Sequence, residues 1–223
     1  MKLALIPSVA LCFSLLACQS EPAKNTPSVP NPTSTEKATG PKKNIVFFGN
    51  SLTAAYNLSP EQGFTAHIQR KIDSLGLNYT CVNAGLSGET TADGVNRIDW
   101  VLQQPVDIFV LELGANDALR GLPVSESKKN LQAMFDKVKA KYPNCKLVLA
   151  GMLAPPNLGA NYTDAFRDMY PALAKKNDAA LIPFLLENIG GIPELNLPDG
   201  IHPNVEGQKV MAENVWDVLE PLL

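Results

Sequence analysis

The chain has 223 residues, 45% hydrophobic and 18% charged, which suits one α/β domain with a real core plus extra segments. Its net charge of −3 is unevenly placed: residues 19–43 hold four Lys against two Glu, while residues 44–223 carry −6 and no Lys/Arg cluster. That balance excludes a nucleic-acid partner, because phosphate neutralisation supplies most non-specific affinity.

Lys2 is a one-charge n-region and Leu3 to Ala17 an apolar stretch too short to span a bilayer, so residues 1–17 read as a signal peptide. Leu15-Leu16-Ala17-Cys18 resembles a bacterial lipobox, in which Cys18 becomes the lipidated first residue after cleavage. The alternative is a plain secretory signal with an incidental cysteine. Gln19, where an Asp would retain the protein at the inner membrane, favours sorting to the outer membrane in a Gram-negative host. Residues 19–43 hold five prolines among Ser, Thr, Asn and Lys and bury almost nothing. Residues 18–43 are therefore expected to be a disordered tether, with a mean span of roughly 25–30 Å.

From residue 44 to 223 strand-like and helix-like segments alternate. Strands are predicted at 44–48, 79–83, 107–112, 146–151 and 180–184, with nearly continuous apolar runs expected of strands buried on both faces. Helices are predicted at 60–74, 91–103, 126–141, 163–176 and 203–219. Ser59-Pro60-Glu61-Gln62 reads as a capping box with Pro at the first helical position, and Pro203 opens the last helix in the same way. Pro171 is expected to kink or interrupt the fourth helix. Residues 152–162, with Pro155, Pro156 and Gly159, look too irregular for an element. The alternation implies right-handed βαβ units and a five-stranded parallel sheet, with the functional crevice beyond the strands' carboxyl ends.

Ser51, Gly88 and Asn116 each fall just after a predicted strand, so three chemically useful residues reach one rim of the sheet. A serine becomes a nucleophile only when a base takes its proton and a third group orients that base. The chain has two histidines. His67 sits inside a helical pattern, whereas His202 lies in loop chemistry three residues after Asp199, so Ser51 pairs with His202. An aspartate at that spacing lets both side chains face one cleft. Gly88, lacking a Cβ, can bring its backbone N–H close to a ligand. Asn116 is taken as a side-chain donor and its neighbour Asp117 as structural. Tyr56 and Asn57 are candidates for the mouth of the cleft, Glu89 and Arg120 for surface or network roles. Cys81 and Cys145 fall on strands that should not be neighbours, so they are expected to be buried thiols, not a disulfide.

Four blocks in order, Gly49-Asn50-Ser51-Leu52, Asn83 to Thr90, Gly114-Ala115-Asn116-Asp117 and Asp199-Gly200-Ile201-His202-Pro203, resemble those of the SGNH (GDSL) hydrolases. The long runs Leu111 to Gly121 and Asp199 to Asn204 are similar to the arylesterase, thioesterase and lysophospholipase branch. The resemblance implies a three-layer α/β/α sandwich of flavodoxin-like type. It also implies Ser51 as nucleophile, His202 as base, Asp199 as its orienter, and an oxyanion hole from Ser51 N–H, Gly88 N–H and the Asn116 amide. The implied reaction hydrolyses acyl esters, thioesters or lysophospholipids without metal or cofactor, in a protein expected to be a monomer anchored in the envelope and facing the periplasm. The alternatives are a carbohydrate O-acetylesterase and a non-catalytic envelope binding lipoprotein. One residue departs from the pattern: the first block usually reads Gly-Asp-Ser-Leu, and here Asn50 replaces the aspartate. An amide keeps the acceptor oxygen and drops the charge, so Asn50→Asp is expected to change kcat/KM less than about tenfold.

Overall fold

A computed structural model describes residues 40–223. The signal segment, Cys18 and nearly all of the tether lie outside the described residues. Five strands form one parallel sheet: β1 (Lys43–Gly49), β2 (Tyr79–Gly85), β3 (Ile108–Glu112), β4 (Lys146–Ala150) and β5 (Ala180–Ile182), in the order β2-β1-β3-β4-β5. Central β1, β3 and β4 are buried almost throughout, as their unbroken apolar runs imply. β2 and β5 are only half-buried, because each is an edge strand.

The described residues hold six α-helices: α1 (Phe64–Ser74), α2 (Thr91–Val101), α3 (Ala115–Leu119), α4 (Val124–Lys141), α5 (Ala160–Asn177) and α6 (Val205–Leu219). α1 packs against α6, while α2, α4 and α5 pack in a row. Right-handed crossovers put these two groups on opposite faces of the sheet, giving the α/β/α sandwich. The core runs through both interfaces, with Phe47, Phe48, Phe109, Phe135 and Phe166 fully buried.

Several boundaries differ from expectation for local reasons. The capping box at Ser59 is present, with Gln62 Oε1 accepting the Ser59 N–H at 3.0 Å, but it caps a single 3-10 turn, Pro60–Gln62, that ends at Gly63 before α1 begins. Pro203 does not open the last helix. It pairs with Asn196 in an isolated antiparallel bridge, and Asn204 caps α6 by accepting the N–H groups of Glu206 and Gly207. Pro171 does not interrupt α5; it lies on the exposed face, as does Arg167, the residue four positions back whose carbonyl it cannot pair with. The 152–162 segment contains a 3-10 turn, Pro156–Leu158, and the first residues of α5.

Cys81 on β2 and Cys145 before β4 are free thiols separated by β1 and β3. Both are half-buried, and burial pushes each thiol up to about 12.

Candidate active site

The sheet reverses its winding between β1 and β3, and a crevice opens there beyond the strand ends. β1 ends at Gly49, whose register partners are Gly85 on one side and Glu112 on the other. The chain then turns sharply. Ala54 N–H donates to Asn50 O at 2.9 Å and Tyr56 N–H to Ser51 O at 3.0 Å, with Ala55 in the left-handed region at φ 55°. The turn is held from the β2 side by Asn83, whose amide donates to Thr53 O at 2.7 Å. Gly85 is required there, since a Cβ would sit 2.3 Å from the Ala54 nitrogen. Ser51 is presented at the head of this turn with little solvent contact.

The partner arrives from the other end of the chain. Residues 196–203 form a closed loop in which Leu197 N–H donates to His202 O at 2.7 Å and Asn204 N–H to Leu195 O at 2.9 Å. Buried Asn196 pins its base by donating to the carbonyls of Ile189 and Ile192, both at 2.8 Å. His202 Nε2 thereby stands 2.9 Å from Ser51 Oγ, and His202 Nδ1 stands 2.8 Å from Asp199 Oδ2. Asp199 Oδ1 also accepts the N–H groups of His202 and Ile201, at 3.0 and 2.9 Å. The His202 N–H is the largest influence on this carboxyl; with the Ile201 N–H and the imidazole it holds Asp199 at about 2. Asp199 is thus an anion at neutral pH. A carboxylate facing Nδ1 fixes the proton there and leaves Nε2 to accept from the serine hydroxyl. The Tyr56 ring lies against His202, centroids 4.5 Å apart, but Tyr56 is not among the residues lining the Ser51 cavity.

Asn116 falls on α3, a five-residue helix that turn-like Gly114-Ala115-Asn116-Asp117 hides and that is too short to show a period. Gly114 adopts φ 120° and a Cβ on it would sit 2.4 Å from the Tyr170 hydroxyl, so only glycine makes this corner. Asn116 lines the cavity at Ser51, a space of about 100 Å³ walled by Leu119, Met152, Leu186 and Ile201. Its amide spends one N–H on Glu89 O at 3.0 Å, which orients the group and leaves the second N–H free of protein partners. Gly88, at φ 83°, lines a separate cavity of about 410 Å³ with Leu86, Glu89 and Arg97, and is not among the residues lining the Ser51 cavity. Its carbonyl accepts from Arg120 at 2.9 Å.

Asp117 is structural: buried, it accepts the Thr91 N–H and hydroxyl at 2.9 and 2.6 Å and the Ser127 hydroxyl at 3.2 Å, tying α3 to α2 and α4. Glu89 and Arg97 form a doubly hydrogen-bonded pair, both contacts 2.6 Å, with the guanidinium 4.2 Å from the Phe48 ring centroid. His67 lies on α1 facing Arg70 and Lys71, its Nε2 buried without a partner among the described residues, and burial lowers its pKa. Among the described residues no group of three His, Cys, Asp or Glu stands together for a metal.

Reading the residues in order misses Glu112, which lies 2% exposed beneath the Ser51 turn. Burial pushes its carboxyl up to about 7, against the pull of hydrogen bonds from Thr53 and Asn50. A carboxylate inside the apolar run Ile108–Leu113 was the signal available. Asn50 also does more than keep an acceptor. Its Oδ1 accepts the Leu52 N–H at 3.0 Å, and its Nδ2 donates to Glu112 Oε1 at 2.8 Å, a contact that an aspartate there could keep only if one of the two carboxyl groups held a proton.

Residues 47–210 match the family described as GDSL-like lipase/acylhydrolase. Esterase TesA of Pseudomonas aeruginosa is 39% identical over 180 residues, 80% of this chain and 89% of that protein. Thioesterase 1/protease 1/lysophospholipase L1 of Escherichia coli K12 is 35% identical over 180 residues, 80% of this chain and 84% of that protein. A crystal structure of TesA superposes with a TM-score of 0.77 at 38% identity, covering 81% of this chain and all of that one.

The division of labour between neighbours Asn116 and Asp117 is testable. Asp117→Ala strands three buried donors and should lower the unfolding free energy by about 2–3 kcal/mol in a urea titration. A stability unchanged within about 0.5 kcal/mol would remove the structural role from Asp117.

Proposed function

The chain belongs to the GDSL-like lipase/acylhydrolase family, and from that premise we propose that Ser51, His202 and Asp199 run an acyl-serine mechanism. The observation that carries this reading is the continuous relay from Ser51 Oγ through the imidazole to Asp199. Ser51 Oγ attacks the acyl carbonyl as its proton passes to His202 Nε2, and Asp199 stabilises the resulting imidazolium. The carbonyl oxygen becomes an oxyanion held by the Ser51 N–H and the second N–H of Asn116; Gly88, which lines a separate cavity in this structure, is the third donor that the resemblance implies. His202 then gives its proton to the departing alkoxide or thiolate. Water enters by the same base to release the acid and restore Ser51. Each oxyanion donor is worth roughly 10²–10³ in rate.

The substrate is an acyl ester, thioester or lysophospholipid. The apolar walls Leu119, Met152, Leu186 and Ile201 suit a hydrocarbon acyl chain, and Leu119 and Ile201 continue outward onto the exposed surface. The enzyme works as a monomer anchored through lipidated Cys18, in the outer membrane facing the periplasm. The lipobox-like Leu15-Leu16-Ala17-Cys18 and the proline-rich stretch 19–43 support that placement.

Ser51→Ala should abolish turnover of p-nitrophenyl esters, and Asn116→Ala should lower kcat by about 10²–10³ with KM little changed. Residual activity above a few per cent in Ser51→Ala would refute the nucleophile, and a pure KM effect would move Asn116 to ground-state binding. A panel of ester and thioester substrates should show activity extending beyond acetyl; strict acetyl preference would favour an O-acetylesterase instead. Cys18→Ala should leave the membrane fraction for the soluble periplasm. Full retention in membranes would discard the lipid anchor.

A further inference from the structure

Three donors on the turn that carries Ser51 converge on one buried carboxylate. Glu112, the last residue of β3, accepts the Asn50 backbone N–H on Oε2 at 3.0 Å, the Asn50 side-chain amide on Oε1 at 2.8 Å, and the Thr53 hydroxyl on Oε2 at 2.8 Å. Asn50 and Thr53 bracket Ser51 along the chain. The opposite end of the Asn50 side chain is also committed: Oδ1 accepts the Leu52 N–H at 3.0 Å and stands 3.4 Å from Ser51 Oγ. Its nitrogen therefore has to face Glu112 and its oxygen the turn. The seat is tight. A Cβ on Gly49, the register partner of Glu112, would lie 2.4 Å from Glu112 Oε2 and 2.2 Å from Thr53 Oγ1. Among the described residues Glu112 has no ion-pair partner, so hydrogen bonds from the turn are its compensation for burial. Asn50 lines the cavity at Ser51 and Glu112 does not, so the carboxylate acts from behind the nucleophile.

We propose that Glu112 is a positioning residue that sets the height and direction of Ser51, and that Asn50 is its matched partner. Asn50 supplies a built-in amide donor where the family's usual aspartate would set a second carboxyl group against Glu112. This inference rests on Ser51 being the nucleophile.

The pair makes a swap experiment decisive. Glu112→Gln turns one acceptor oxygen into an N–H donor, which must face either the Asn50 amide or the donors Asn50 N–H and Thr53 hydroxyl. One donor then meets another. Combining it with Asn50→Asp exchanges the two roles: the glutamine amide donates to the new carboxylate, and the glutamine oxygen still accepts from residue 50 N–H and Thr53. The assay is kcat and KM for a p-nitrophenyl ester at pH 8, above the value of about 7 to which burial pushes Glu112. Glu112→Gln should lower kcat about tenfold or more with KM within about twofold, and the double variant should recover to within about threefold of the parent. A parental kcat in Glu112→Gln, or a folded double variant no faster than Glu112→Gln, would overturn the proposal. Should Glu112→Gln fail to fold by circular dichroism, the double variant decides alone. Folded and within about threefold of the parent it supports the pairing; unfolded, or about tenfold slow, it refutes it. Ser51→Ala in the same assay keeps the two claims apart. Turnover surviving in Ser51→Ala would sink the nucleophile itself, whereas a dead Ser51→Ala beside indifferent Glu112 variants would sink only the positioning role.

Discussion

The register between β1 and β3 sets everything at this site. Pairing Gly49 with Glu112 puts a carboxylate directly under the turn that leaves β1, at the point where the sheet reverses its winding. A shift of one residue would turn the Glu112 side chain to the other face and leave three turn donors with nothing to bind. Because β1 lies between two partners, the turn is gripped on both sides, by Glu112 from β3 and by Asn83 and Gly85 from β2. A nucleophile needs that rigidity, since misplacement by about 1 Å can cost roughly 10² in rate.

The second half of the site is built on a different principle. His202 belongs to no helix or strand; its loop is closed by backbone hydrogen bonds and by two asparagines, Asn196 beneath it and Asn204 at the start of α6. Asp199 serves twice within that loop, ordering the backbone through the N–H groups of Ile201 and His202 and holding the imidazole through Nδ1. The loop is short, so the base is oriented by its own neighbours. Strand β1 ends at the Ser51 turn, the short helix after β3 carries Asn116, and a self-contained loop sets His202 against Ser51.

Much of this was legible in the residue order. Continuous apolar runs separated by helical periods dictate a parallel sheet, and a parallel sheet dictates which rim carries chemistry. Two histidines in the whole chain leave few choices of base, and the loop residues around His202 single it out. What stayed hidden depends on contacts across the sheet. Glu112 stands out as a charge inside an apolar run, but what it binds shows only when β1 is laid beside β3. Asn50 reads as an acceptor until its nitrogen is seen to face that carboxylate. The helix carrying Asn116 is a single turn or so, below the length at which periodicity speaks, and Pro203 resembles a helix opener in sequence although the bridge to Asn196 claims it. Local signals set the elements; partners distant in sequence set the fine chemistry.

The most direct test of the acyl-serine mechanism is mass spectrometry of the native protein after exposure to an activated alkyl phosphonate ester. A nucleophilic Ser51 should give one phosphonyl adduct per chain, mapped by peptide digestion to Ser51, with loss of esterase activity in step with labelling and no adduct in Ser51→Ala. An unmodified Ser51 in active enzyme, or an adduct on another residue that tracks the loss of activity, would contradict the mechanism.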